Sequence, residues 1–198
     1  MRLSFSPDPD PADAELAELL AAAARGGEDA LNTLYRKLSR KIYAFALRRL
    51  SAPDAAEEVV VETMYEVWRH ASRYAGQSRV TTWVLGIARH KLLDKLRQRD
   101  IQCAMEIDDE AIAVADSAPG AYEQLAEKQR AEHVAQCLEA LPDEQRECMH
   151  LVFYEEMGLA EIADIQQCPE NTIKTRLFHA RRKMRECIER QIRWSHSL

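Results

Sequence analysis

Two groups of basic side chains are spaced to do polyanion chemistry. In CPENTIKTRLFHARRKM, Cys168 to Met184, five positive charges (Lys174, Arg176, Arg181, Arg182 and Lys183) fall within eleven residues with no acid among them. Between Arg79 and Arg99, six basic side chains (Arg79, Arg89, Lys91, Lys95, Arg97, Arg99) accompany one acid, Asp94. Cations at this density on a helix neutralise phosphates and release counterions. Other chemistries have no sequence support. There is no Gly-rich phosphate loop, nucleophile elbow or paired-carboxylate site, so neither an enzyme nor a cofactor is expected. The five cysteines, Cys103, Cys137, Cys148, Cys168 and Cys187, are odd in number and contain no C-x-x-C, so no disulfide framework is expected. His133 with Cys137 and Cys148 with His150 are spaced as ligand pairs, but on segments read as helices. Buried, unligated thiols and no metal are the expectation.

The elements that must position the basic groups are helices. Among 198 residues only 6 are glycine and 7 proline, and no run resembles a strand ladder. Apolar periodicity, broken at Gly26-Gly27, Gly76, Gly120 and Gly158 and started at Pro53, Pro142 and Pro169, predicts helices over 12–25, 29–50, 54–73, 80–99, 121–140, 143–155, 159–166 and 170–190. Between Asp100 and Gly120 the period fails in an acidic, small-residue stretch that ends in Pro-Gly, which reads as a flexible linker. The fold class is therefore all-α, two small helical domains joined by an acidic linker. The boundaries are 1–28 for an acidic extension with a short helix, 29–100 for the first domain, 101–120 for the linker and 121–198 for the second domain.

Charge follows the same division. The formal net charge is −6. Residues 1–29 carry −5, residues 30–100 carry +7, residues 101–144 carry −9 and residues 145–198 carry +1. An acidic total does not exclude a polyanion partner when the cations are gathered in patches. The opening MRLSFSPDPDPAD is the reverse of a secretory leader, and no run reaches the ~18 apolar residues of a membrane span. A cytoplasmic chain is expected.

In the second domain, Ile173, Leu177, Ala180 and Met184 form one apolar stripe and the basic residues lie largely off it. GLAEIADIQQ supplies a short helix immediately before, joined by a turn near Gln167–Pro169. This is the spacing of a helix-turn-helix, whose second helix fits a DNA major groove. A helical hairpin with a solvated basic face and a calmodulin-target or membrane-surface helix share the pattern.

LEALPDEQRECMHLVFYEEMGLAEIADIQQCPENTIKTRLFHARRKMRE resembles the promoter-reading C-terminal region of bacterial sigma factors, closest to the extracytoplasmic-function (ECF) group. The resemblance rests on Leu141-Pro142, Glu161-Ile162-Ala163, and Asn171 to Leu177 followed by Ala180-Arg181. Gln166 and Gln167 depart from it, standing where the family commonly has an apolar residue and a glycine. Upstream, DALNTLYRKLSRKIYAFALRRL resembles the family's first conserved helix and AAEEVVVETMYEVW its polymerase-docking helix. YAGQSRVTTWVLGIARHKLLDKLRQR resembles the segment that captures the downstream (minus-ten) element. Val61 and Val80 depart from the frequent Gln and Phe.

The resemblance implies a non-enzymatic factor that binds core RNA polymerase and promoter DNA, both as duplex and as opened strand. It implies regulation by an anti-sigma factor, a stress or envelope response, and a linker threaded towards the RNA exit path. The −9 neighbourhood of that linker would repel DNA from free factor. Upstream (minus-thirty-five) readers are Asn171, Thr172, Lys174, Thr175, Arg176, Phe178 and His179, with Arg181, Arg182 and Lys183 on phosphates. Arg176 is expected to fork onto guanine. Downstream-element residues are Gly76, Gln77, Ser78, Arg79, Trp83, Arg89, His90, Lys91 and Arg97. Polymerase-docking residues are Glu57, Glu58, Val59, Glu62, Thr63 and Val67. Read without the resemblance, the acids of 54–73 are an ordinary solvated face and Trp83 is core. Two rival readings remain. One is a helix-turn-helix regulator acting without polymerase docking. The other is a helical interaction protein that senses metal or redox state through its cysteines and histidines.

Overall fold

The structure, a computed structural model, describes the backbone of residues 11–105 and 122–195 and the side chains of residues 11–99 and 131–191. The described residues form helices and no strands: α1 Pro11–Ala24, α2 Glu28–Leu50, α3 Pro53–His70, α4 Val80–Met105, α5 Tyr122–Glu139, α6 Asp143–Phe153, α7 Leu159–Gln166 and α8 Glu170–Ser195. The chain makes two compact units, Met1–Asp109 and Glu110–Leu198.

In the first unit α2, α3 and α4 pack around one apolar core. Leu34, Leu38, Ile42 and Phe45 come from α2, Val59, Met64 and Val67 from α3, and Val84, Leu85 and Leu92 from α4. Helical spacing, such as that of Leu34, Leu38 and Ile42 on α2, is what turns one stripe of each helix inward. The acidic N-terminal helix belongs to this unit. α1 buries Leu16, Leu20 and Ala23, and Lys37 of α2 pairs with Glu15 at 2.9 Å. The Gly26-Gly27 turn makes that return possible. Gly26 has φ +90, and a Cβ on Gly27 would lie 3.0 Å from the Ala22 carbonyl oxygen.

Helix ends differ from the periodicity at α3, at α4, at α6, which stops at Phe153, and at α8, which runs on to Ser195. The run expected to 73 leaves the α-helix after His70 and closes in a single 3-10 turn, Ala71–Arg73, with Tyr74 N–H donating to the Ala71 carbonyl at 3.3 Å. A tightened last turn is a common way to satisfy terminal carbonyls. At the other extreme α4 runs on to Met105, into the segment expected to be linker. Ile101 to Met105 hold no glycine or proline, so nothing halts propagation of an established helix. The rest of the expected linker, 106–121, lies outside the described residues.

In the second unit α6, α7 and α8 surround Leu151, Ile162, Ile165, Ile173, Leu177 and Ala180. Glu161 caps the start of α7 by accepting the Gly158 N–H at 3.0 Å. α5 lies along the C-terminal half of α8 and is tied to it by a disulfide between Cys137 and Cys187, Cα atoms 5.8 Å apart. This corrects the expectation of unpaired thiols. The two cysteines are 50 residues apart in sequence, and only the packing of α5 on α8 brings them together. It also removes Cys137 from any ligand pair with His133.

Candidate nucleic-acid interface

The helix-turn-helix is built on an unusual pair of glutamines. Gln167 ends α7 in the left-handed conformation, φ 53 and ψ 46, and the Cys168 N–H closes the helix on the Ala163 carbonyl at 3.1 Å. This backbone favours glycine, and a side chain there costs roughly 1 kcal/mol. The Gln167 amide offsets some of that by donating to the Asp164 carbonyl at 2.6 Å. Gln166 is only 6 % exposed, beneath the turn. Its Nε2 donates to Glu147 Oε2 at 2.7 Å and to the Glu144 carbonyl at 3.2 Å. Its Oε1 accepts from the Cys148 thiol at 3.2 Å and from an Arg176 guanidinium nitrogen at 2.6 Å.

On α8, Ile173, Leu177, Ala180 and Met184 face the core. Asn171, Lys174, Thr175, Phe178, Arg181 and Arg182 are exposed, and Thr172, His179 and Lys183 are half-buried at the flanks. Phe178 is 63 % exposed and meets His179 edge-on, ring centroids 5.4 Å apart. With Leu159, Lys174, Arg181, Arg182 and Arg185 it lines an open, cationic groove. Among the described residues, the ion pairs of this face lie within its own helix, Lys174 with Glu170 at 3.1 Å and Arg182 with Glu186 at 3.7 Å. Exposed pairs of this kind are worth little and can be exchanged for phosphate.

Arg176, expected to fork onto guanine, differs from the other cations of α8 in being engaged within the unit. Its side chain is half-buried and bends back across the turn to Gln166 and to the Cys168 sulfur, 3.5 Å away. Position 176 lies at the border between the apolar stripe and the exposed face, where a buried acceptor competes for the guanidinium. The same network holds Cys148 as a neutral donor. Burial pushes its thiol up to about 12, opposed by Arg176 and reinforced by Glu147.

In the first unit the turn into α4 is pinned at both ends. The Tyr74 hydroxyl donates to the Ser78 carbonyl at 2.6 Å, and its ring lies 5.4 Å from that of Trp83. The Val80 N–H, at the start of α4, donates to Asp13 Oδ1 of α1 at 2.9 Å. That carboxylate satisfies an orphan helix donor and favours the positive end of the dipole. Burial and Asp13 together raise the Tyr74 hydroxyl pKa, so it stays a donor. Between the pins, Gly76 takes φ +67 and Gln77 is exposed, with Ser78 and Arg79 half-buried beside them. Asp13 was not singled out by sequence, since nothing local links it to a residue 67 positions away.

The basic face expected along α4 is largely engaged within the unit. Lys91 pairs with Glu66 at 3.1 Å, and Lys95 with Glu62 at 3.0 Å and with Glu58. Arg99 donates to the Leu50 carbonyl at 3.0 Å, and Arg97 pairs with Asp94 at 3.2 Å. Lys91, expected on the downstream element, thus stands in this structure as a strut between α3 and α4. The hydrogen bond from Lys91 lowers the Glu66 pKa, and hydrogen bonds to Glu58 and Glu62 raise that of Lys95. Arg89 is half-buried and His90 exposed.

The docking residues expected on α3 divide by face. Val59, Thr63 and Val67 are each 0 % exposed and point at α2 and α4, so they cannot meet a partner. They repeat every fourth residue on the inner stripe, while Glu57 and Glu58 are exposed and Glu62 is half-buried. The outer face instead presents Val61, Tyr65 and Trp68, exposed by 61 %, 54 % and 49 %. Their i, i+4, i+7 spacing is helical, but apolar residues on a second face are indistinguishable from core in sequence. Tyr35, Arg40, Glu57 and Val61 line a groove between this face and α2.

Comparison with known proteins follows the same division. Residues 34–101 match the family described as Sigma-70 region 2, and residues 131–184 the family described as Sigma-70, region 4. The ECF RNA polymerase sigma factor SigK of Mycobacterium ulcerans is 32% identical over 183 residues, covering 88% of this chain and 94% of that protein. SigK of Mycolicibacterium vanbaalenii is 28% identical over 176 residues, with 88% and 90% covered. Among solved structures, CnrH in complex with the cytosolic domain of CnrY aligns with TM-score 0.65 at 19% identity, covering 88% of this chain and 97% of that one. RpoE of Bartonella quintana, in complex with the anti-sigma factor NepR, aligns with TM-score 0.60 at 23% identity, covering 78% and 95%. At those identities the likeness is one of fold.

Proposed function

We infer the function from one premise: the chain belongs to the ECF RNA polymerase sigma factors, and it directs promoter-specific transcription initiation by that enzyme. The observation that carries the reading is the presence of both sigma regions on one chain, in order, each in its own compact unit. Sigma factors are initiation factors without catalysis of their own, and the polymerase performs the phosphodiester chemistry.

The division of labour is our proposal. The exposed face of α8, with Lys174, Thr175, Phe178 and His179 towards base edges and Arg181 and Arg182 towards phosphates, reads the upstream element as duplex. The pinned turn of Gly76, Gln77, Ser78 and Arg79 takes up the downstream element as it opens. A small exposed loop beside cationic and aromatic groups can accept an unstacked base. The Val61–Tyr65–Trp68 face of α3, edged by Glu57 and Glu58, docks on core polymerase, because exposed aromatics at helical spacing are the usual anchors of an interface. We further propose a cytoplasmic location beside the polymerase, a stress or envelope response, and restraint by an anti-sigma factor, the last by likeness to RpoE. No helix among the described residues is long and apolar enough to cross a membrane.

The test is reconstitution. Purified chain added to core polymerase should co-migrate with it and start transcripts only from templates with both promoter elements. Tight binding to a palindromic duplex with no dependence on polymerase would instead favour a conventional helix-turn-helix regulator.

A further inference from the structure

The Gln166 side chain is saturated. An amide offers two N–H donors and two oxygen lone pairs, and the contacts to Glu147, Glu144, Cys148 and Arg176 use all four. They also fix which way the amide faces. Turned over, it would aim N–H groups at the guanidinium and an oxygen at the Glu147 carboxylate. Glu147 is itself buried, 1 % exposed, so the guanidinium on the far side of the amide supplies positive charge to a buried acidic site. Pulling Arg176 out towards solvent would leave a buried acceptor without its charged donor, which is the costly half of a broken hydrogen bond.

Arg176 is also the only arginine in the first two turns of α8, the part of a recognition helix that meets base edges. We propose that Gln166 is a specificity-determining residue: by holding the Arg176 guanidinium under the turn, it withholds from the DNA the group best suited to fork onto guanine. Reading then falls to Lys174, Thr175, Phe178 and His179. Gln166 touches no base itself and acts through Arg176. This rests on α8 being the upstream-element helix.

The experiment uses the full chain with core polymerase on templates in which each base pair of the upstream element is changed singly. Three variants are compared with the unaltered chain: Arg176→Ala, Gln166→Met and the double variant. Arg176→Ala should lower initiation by a similar factor on every template, with no position singled out, because the loss is one of helix placement. Gln166→Met should change the profile. The freed guanidinium should create a new preference for a G·C pair at one position, on the order of tenfold. That preference should vanish in the double variant. Were Gln166→Met to lose its cooperative unfolding transition, Glu147→Gln with Gln166→Met, which removes the buried carboxyl group together with its partner, takes its place under the same expectations.

Two results overturn the inference alone. In one, Arg176→Ala relaxes discrimination at a single base pair, so the guanidinium was already reading. In the other, the Gln166→Met profile superimposes on that of the unaltered chain. If the unaltered chain is itself indifferent to the upstream element, the assignment of α8 falls first and the inference falls with it.

Discussion

α4 and α8 are both long, basic helices, yet the structure disposes of their charge in opposite ways. On α4, Lys91 and Lys95 cross to Glu66, Glu62 and Glu58 of α3, and Arg99 reaches the end of α2. On α8, Lys174 and Arg182 have acids only one turn away on their own helix, in open solvent. The first arrangement consumes positive charge to hold two helices together. The second leaves it available to a phosphate, since an exposed i, i+4 pair contributes only ~0.3–0.5 kcal/mol. Charge density along a segment is thus a poor guide to what the charge meets. What decides is whether the neighbouring helix carries acids on its facing side.

The largest expected effects come from α3, where the same comparison runs between inner and outer faces. Val59→Asp places an unpaired carboxylate in the core of the first unit and should cost at least about 3 kcal/mol, read as loss of that unit's unfolding transition. Val61→Asp, two residues on, should leave the transition in place and weaken co-migration with core polymerase. Equal effects of the two on stability would erase the distinction between faces.

Next in size is the second unit's disulfide. Cys187→Ser should lower the stability of that unit by about 2–4 kcal/mol under oxidising conditions and leave the first unit's transition unmoved. Denaturant titrations with and without reductant check this, and identical midpoints would remove the cross-link from the account.

The α4–α8 contrast is sharpest in salt dependence. Arg182→Ala should reduce the slope of log affinity for promoter DNA against log salt by roughly 0.9, whereas Lys91→Ala should leave it unchanged and loosen α3 from α4. A slope change for Lys91→Ala would restore that lysine to the DNA.

The same struts predict a pH window. Glu66 has its pKa lowered, so the stability it adds is present above the ordinary carboxylate value of 4.5 and is lost as pH falls through the depressed value. Lys95 has its pKa raised, so its share is present below 10.5 and is lost as pH climbs past the raised value. Melting of the first unit should therefore soften at both extremes, and Lys91→Met should remove the acid-side component. The smallest effect is Gln167→Gly, which relieves a left-handed side chain and should raise the second unit's stability by no more than about 1 kcal/mol.

Much of the fold was legible beforehand. Apolar stripes at helical spacing and breaks at Gly26-Gly27, Gly76 and Gly158 place helices close to those observed, and the two resemblances in order along the chain identify the family. The candidate sites were read by segment, and several side chains within them are placed otherwise than that reading implied. Val59, Thr63 and Val67 sat among plausible docking residues and proved to be core, because a helix with apolar residues on two faces does not declare in sequence which one is inside. Arg176 and Lys91 looked like free cations because their partners, Gln166 and Glu66, are on other helices.

The sequence by itself determined the helices, the division into two units, the distribution of charge and the family, since all of these follow from local periodicity, composition or motif order. Tertiary structure alone decided which cations stay available, that Asp13 caps α4, that Cys137 meets Cys187, and that Gln166 holds Arg176. The last three are pairings across helices, from 10 to 67 residues apart in the chain, and a hydrogen bond or disulfide depends on separations of a few ångströms that only packing sets.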